Sequence, residues 1–228
     1  MLWLGKLLGV PALGFMMKPE GGSLAMLILG HILCVAIAYL LGSLNFAIII
    51  SKYKVHDDIR THGSGNAGMT NMLRTYGKTA GLMTFLGDAL KAFLSVFIGM
   101  LLLGESGTYL AGIGVIVGHV YPVFYGFKGG KGVVAAIITV LFIQPIIALM
   151  VIAIFVLVVL FTRYISLGSI LGAAFYPLLV YTFVPGAGLK VVYAFIIAVF
   201  IIWLHRSNIM RLKDGTENKL GSKGKKNG

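Results

Sequence analysis

Residues 24 to 50, LAMLILGHILCVAIAYLLGSLNFAIII, run without one formally charged side chain. At about 1.5 Å of rise per residue the stretch is longer than a hydrocarbon core of roughly 30 Å is thick, so as a helix it crosses a bilayer with some tilt. Composition agrees, because 58% of the 228 residues are hydrophobic and only 11% are charged, which excludes a soluble domain as the main body. Apolar runs of this length predict membrane-spanning helices. The expected class is therefore an all-α integral membrane protein.

Further runs give further spans. Residues 79 to 103 are interrupted only by Asp88 and Lys91, one turn apart on a helical face and so able to pair. GESG at 104 to 107 predicts a turn, and residues 108 to 126 a third span. From Lys131 to Arg163 no charge occurs, and Gln144 followed by Pro145 interrupts the run near its middle. Proline inside a helix removes a backbone donor, so two short helices are expected, roughly 132 to 143 and 145 to 162. Residues 165 to 184 and 189 to 204 complete seven transmembrane helices, some short or broken, with VPGAG between the last two.

Charge then orients them. With seven spans, the N-terminus outside and the C-terminus cytosolic, all nineteen Lys and Arg except Lys6, Lys18, Lys190 and Lys91 fall on the cytoplasmic face. That is the asymmetry of the positive-inside rule. One tilted helix over 132 to 162 would put Lys131 and Arg163 on opposite faces and spoil it. Four segments then converge on one side: 51 to 78, 126 to 131, 163 to 169, and 205 onward. The formal charge of +12 belongs to span ends and not to a nucleic-acid surface; it attracts membrane lipids and anionic solutes.

Three divisions follow: an N-terminal extension at 1–23, a catalytic membrane domain at 24–205, and a basic cytosolic tail at 206–228. The extension, broken by Pro11 and several glycines, fits an interfacial segment anchored by Trp3 and Lys6 better than a signal peptide. Cys34 is the single cysteine, so no intrachain disulfide forms.

Polar chemistry gathers in three clusters. HGSGNAGMTN at 62 to 71 combines glycines with small donors, which suits a concave anion site as well as an ordinary flexible loop. FKGGKG at 127 to 132 sets Lys128 and Lys131 on a glycine-rich backbone ahead of a short helix, whose N-terminus also prefers an anion. It is not a nucleotide P-loop: the glycine required five places before Gly130 is Tyr125, and Gly132 follows Lys131. HRSNIMRL at 205 to 212 puts His205 and Asn208 on one helical face. H-E-x-x-H, a histidine five places before an aspartate, and G-x-S-x-G are all missing, which disfavours zinc hydrolases, His-x-x-x-x-Asp acyltransferases and serine hydrolases.

SGNAGMTNMLR at 64 to 74, GHVYPVFYGFKGGKGV at 118 to 133 and HRSNIMRLKDGTENKLG at 205 to 221 together resemble the three motifs of the bacterial acyl-phosphate:glycerol-3-phosphate acyltransferase family, PlsY. The resemblance extends to RYISLGSI at 163 to 170 and YLLGSLNFAIIISK in the first span, covering essentially residues 24 to 221. It implies a seven-span enzyme of the bacterial cytoplasmic (inner) membrane, multi-pass, with its active site facing the cytosol. The implied substrates are acyl phosphate and glycerol 3-phosphate, the products lysophosphatidic acid and inorganic phosphate, with no cofactor or metal. Carried over residue by residue, the catalytic positions are Ser64, Arg74, Lys131, His205 and Asn208. The substrate-binding positions are Asn66, Thr70, Asn71, Lys128, Gly129, Gly130, Arg211, Glu217 and Ser169, with Ser166 a near rival of the last.

These residue types suit that chemistry. Two phosphates bring about three to four negative charges close together, which demands converging cations and donors. Arg74, Lys131 and His205, with amides of both glycine-rich segments, would supply them. The glycerol hydroxyl would attack the acyl carbonyl directly, a phosphate oxygen or His205 would take the proton, and Ser64 would be a phosphate ligand and not an acylated nucleophile. A transporter of a phosphorylated solute is the alternative; it asks for cations along a path through the membrane, where Lys91 alone is available and Asp88 neutralises it.

Overall fold

The computed structural model describes residues 24–221, so the expectations for residues 1–23 and for Lys223, Lys225 and Lys226 lie outside it. The uncharged run forms α1 (Leu24–Ser43) and α2 (Phe46–Lys54) with a break at Leu44 and Asn45. Asn45 explains the restart: its carboxamide oxygen accepts the Ile48 amide at 3.2 Å, an N-cap that stabilises α2 by about 1 kcal/mol. The polar segment after α2 carries a short helix, α3 (Met69–Tyr76).

Residues 78 to 120 form α4 (Lys78–Val120), which is a hairpin and not a rod. Lys91 Nζ lies 3.0 Å from His119 Nδ1 although 28 residues separate them, a span of about 42 Å along a straight helix. The reversal occurs at Leu103 and Gly104, with Gly104 at φ 61° and ψ −136°, a conformation that side chains disfavour. The expected turn over 104 to 107 is thus shorter and one residue earlier: Leu103 and Gly104 reverse the chain, and Glu105 onward already belongs to the returning arm. The arms approach closely because a Cβ on Gly107 would strike the Gly99 carbonyl. The returning arm lies equally close to α1, where a Cβ on Gly118 would strike the Tyr39 carbonyl.

α5 (Val133–Ile143) and α6 (Pro145–Thr162) meet at Gln144, where the sequence places the break. α7 (Ile165–Phe183), α8 (Gly188–Leu204) and α9 (Arg206–Lys213) follow. Four stretches are long and apolar enough to cross a membrane: Leu24–Lys54, Lys78–Tyr125, Pro145–Thr162 and Ile165–Phe183. α8 with α9, bent by 56°, makes a fifth, and α5 is shorter. The described residues are helical throughout apart from turns and loops, in keeping with an all-α membrane protein.

The chain divides between Gln144 and Pro145 into two compact units. In the first, α4 packs on α1 and α5. Cys34, Ala38, Leu103 and Ala111 form one buried cluster, and Val96, Met100, Phe142 and Ile143 another. A third cluster, Ala47, Ile48, Ile50, Ile59, Ala67, Met72 and Ala80, lies beneath the polar loop from 55 to 68 and fixes it to α2 and α4. In the second unit α7 packs on both α6 and α8.

Within the hairpin, the Lys91 ammonium lies 2.9 Å from Asp88 Oδ1, as an ion-pair contact without hydrogen-bond alignment. It donates to the carbonyls of Gly42 at 2.9 Å and Leu44 at 2.8 Å. Asp88, Lys91 and His119 are 1, 2 and 4% exposed, so this is a buried ionic knot closing the open C-terminal end of α1. The pairing expected of Asp88 and Lys91 is present, and it occupies the one cation that a transport path would need.

Candidate active site

The first cluster is built around Asn71, which is buried on α3. Its Nδ2 donates to the carbonyls of His62 at 2.9 Å and Ile59 at 3.3 Å, and its Oδ1 accepts the Ser64 amide at 3.1 Å. An amide side chain can do this because it carries donors and an acceptor at one end. Asn71, expected to touch substrate, thus shapes the loop that presents the exposed Ser64. Asn66, Thr70 and Arg74 are half-buried on the same loop and helix. The Asn66 carboxamide lies over Gly68, where a Cβ would sit 3.1 Å from its Nδ2.

The second cluster corrects an expectation. The amides of Gly129 and Gly130 do not stand open to an anion: they donate to the carbonyls of Val120 at 3.0 Å and His119 at 3.1 Å. Glycine is required there by proximity, since a Cβ on Gly130 would strike the His119 ring and the Ala67 carbonyl, and one on Gly129 the His119 carbonyl. Folding the run back in this way sets the half-buried Lys131 at the start of α5 and leaves Lys128 exposed.

The two glycine-rich motifs of the first unit are held together. Ala67, the fourth residue of SGNAG, lies against Gly130 and accepts from Asn45 Nδ2 at 3.3 Å. Arg60 makes a second tie that sequence reasoning missed. Its Nε and Nη2 grip the Asp58 carboxylate at 2.9 and 2.7 Å, while Nη1 donates to the Tyr125 carbonyl at 2.8 Å. Hydrogen bonds from Arg60 hold the Asp58 carboxyl down at about 2 against a smaller opposing effect of burial. Beside this pair Asp57 accepts from Tyr76 at 2.9 Å and lies 2.8 Å from His62 Nε2. Burial, with Asp57 adding to it, pushes the Tyr76 hydroxyl up to about 12.

The second unit carries the third cluster. α8 ends at Leu204, and His205, 3% exposed, sits in the bend. Its Nδ1 lies 2.8 Å from the Ile201 carbonyl. A carbonyl only accepts, so Nδ1 carries hydrogen and the neutral ring has its lone pair on Nε2. Glu217 is the hub of the tail: Oε1 accepts from Ser166 Oγ and Asn208 Nδ2, both at 2.8 Å, and Oε2 from Arg211 Nε at 2.6 Å. Burial opposes ionisation of Glu217, but these three donors outweigh it and hold the carboxyl below its ordinary value.

Of the rival serines, both buried, Ser166 reaches Glu217, while Ser169 donates to the Ile165 carbonyl of its own helix at 3.1 Å. The tail is also fastened to the start of α7: Leu220 and Arg163 exchange hydrogen bonds of 2.6 and 2.8 Å.

A family model described as glycerol-3-phosphate acyltransferase matches residues 32–215. The chain belongs to the glycerol-3-phosphate acyltransferase family. Its activity is that of the family, acyl transfer to glycerol 3-phosphate. It is 45% identical to the glycerol-3-phosphate acyltransferase of Clostridioides difficile (strain 630) over 202 residues, 86% of this chain and 98% of the relative. The enzyme of the same name from Bordetella pertussis (strain Tohama I) is 42% identical over 197 residues, 83% of this chain and 91% of that one.

Among solved structures, the fold resembles that of PlsY (YgiH), an integral membrane glycerol 3-phosphate acyltransferase, in two forms. The glycerol 3-phosphate form gives a TM-score of 0.77 at 39% identity, covering 84% of this chain and 96% of that one. The lysophosphatidic acid form gives 0.74 at 36%, covering 85 and 97%.

Proposed function

We propose that the acyl donor is an acyl phosphate and that the reaction runs at the cytosolic face of a bacterial inner membrane, in a seven-span chain with its C-terminus inside. The observation that carries this reading is the pinning of Ser64's loop and the Lys131 run to one another in the first unit, by Ala67 against Gly130 and by Arg60. That places hydroxyl, amide and cation chemistry suited to a phosphate on neighbouring loops. The distribution of Lys and Arg along the sequence supports the orientation.

In this mechanism the 1-hydroxyl oxygen of glycerol 3-phosphate bonds to the acyl carbon, and the bond from that carbon to the phosphate oxygen breaks. Inorganic phosphate leaves with the electron pair, and lysophosphatidic acid remains. The hydroxyl proton passes to a phosphate oxygen or to His205 Nε2. Arg74 and Lys131 neutralise phosphate charge, Ser64, Asn66 and Thr70 donate to phosphate or glycerol oxygens, Ser169 joins them by turning its hydroxyl from the Ile165 carbonyl, and Lys128 draws anions to the rim. Asn208, Arg211 and Glu217 act together, the carboxylate fixing the other two. The acyl chain stays in the bilayer, where the apolar helix surfaces meet lipid.

The test uses the full chain in lipid nanodiscs with palmitoyl phosphate and glycerol 3-phosphate, following inorganic phosphate and lysophosphatidic acid together. Equal amounts of both products are expected, with palmitoyl-CoA inactive as donor. Substituting Ser64→Ala or Lys131→Ala should each lower kcat/KM at least a hundredfold. Turnover with palmitoyl-CoA at a comparable rate, or full activity of both variants, would refute the reading.

A further inference from the structure

We infer that Arg60 is a positioning residue of the acyl transfer, setting the distance between the loop that presents Ser64 and the loop that presents Lys131. The inference rests on the proposal that those two residues serve the active site. Arg60 lies between Ile59 and His62, whose carbonyls are the two that Asn71 Nδ2 holds. Gly65, next to Ser64, packs on the Arg60 carbonyl, where a Cβ would sit 3.3 Å away, and its amide donates to His62 at 2.9 Å. The segment from Ile59 to Gly65 is therefore one stiff piece, and a force on the Arg60 side chain is a force on Ser64.

The far end of that side chain grips the second motif. The guanidinium is anchored at three contacts by Asp58, at 2.9, 3.2 and 2.7 Å, and at 28% exposure the carboxylate is itself part-buried. Its remaining nitrogen, Nη1, donates to the Tyr125 carbonyl at 2.8 Å and more weakly to that of Lys128 at 3.4 Å. Tyr125 and Lys128 flank the left-handed pair Gly126 and Phe127, at φ 67° and 57°, so the guanidinium spans the turn that leads into Gly129, Gly130 and Lys131. A planar fork with five fixed donors can satisfy a carboxylate and two carbonyls at once, which a lysine ammonium cannot do in the same geometry.

A residue acting only through spacing should change substrate handling without unfolding the protein. The experiment compares the parent chain with Arg60→Ala, Arg60→Lys and Asp58→Asn in nanodiscs, measuring kcat and KM for both substrates and the thermal unfolding midpoint. Arg60→Ala should lose about thirtyfold or more in kcat/KM with a midpoint close to the parent's, and added guanidinium ion should restore part of the loss. Arg60→Lys should fall between, and Asp58→Asn should lose about three- to tenfold through a loosened guanidinium.

Parent-like kcat/KM in Arg60→Ala would overturn the inference, as would a loss that guanidinium does not relieve and that follows the unfolding midpoint. If the alanine variant does not fold, parent-like kinetics in both Arg60→Lys and Asp58→Asn would overturn it. Full activity of the Ser64→Ala and Lys131→Ala chains defeats the proposed site itself. Their loss with Arg60→Ala unaffected defeats the positioning role alone.

Discussion

The amide of Ser64 donates to the side-chain oxygen of Asn71 at 3.1 Å, and the same carboxamide holds the carbonyls of His62 and Ile59. Replacing Asn71 by alanine leaves three backbone groups without that partner, at about 1–3 kcal/mol for each that water cannot reach. Asn71→Ala should lower the unfolding free energy by about 2 kcal/mol and reduce kcat/KM at least tenfold. Asn71→Asp, which puts an acceptor against two carbonyls, should be worse in both assays.

Glycines at 126 and 130 should respond differently to alanine. At Gly130 the added carbon meets the His119 ring and the Ala67 carbonyl, both buried, whereas at Gly126 nothing lies within 4 Å and the objection is only the φ of 67°. Gly126→Ala should cost about 1–2 kcal/mol of stability with kcat/KM changed less than threefold. Gly130→Ala should push the Lys131 loop away from α4 and abolish most activity. Initial rates and thermal unfolding on the two variants check this directly.

Acid should loosen the tail through Glu217. Its carboxyl is held below the ordinary value of 4.5 in the folded chain, so the stabilisation it gives is complete above that value. It is lost as the pH falls through the lower folded pKa, because the unfolded chain takes up the proton first. Thermal unfolding midpoints should therefore decline below about pH 4.5, and Glu217→Gln should flatten that decline while starting lower at neutral pH.

Breaking the ionic knot in α4 should be costlier than removing it. Lys91→Met leaves Asp88 charged in a buried site and should destabilise by about 3–5 kcal/mol. The double variant Asp88→Asn with Lys91→Met should recover much of that loss. Expression level and unfolding midpoint of the three proteins provide the measurement.

The helices were legible because their determinants are local. The uncharged run marks α1 and α2, and Gln144 with Pro145 marks the junction of α5 and α6. The sign of each loop could be counted as well. What could not be read was which polar groups face each other. Arg60 carries no signal of its own, because nothing near it in sequence shows that Tyr125 and Lys128 will offer their carbonyls. Ser166 and Ser169 stand three residues apart, about 300° of helical rotation, and of the two only Ser166 reaches Glu217, a contact nothing local in the sequence announces. The glycine run suits a nest of open amides as well as close packing, because glycine allows both, and Val120 and His119 select the second.

Lys91 draws its partners from α1, from the break after it and from both arms of α4. While the chain is still entering lipid, the first arm by itself would expose its Asp88–Lys91 pair to hydrocarbon, without the carbonyls of Gly42 and Leu44 or the His119 ring around it. Insertion of Leu24 through Val120 is thereby coupled: the uncharged first crossing can enter alone, but the charges of the second become well tolerated only once all three strokes of the chain are side by side.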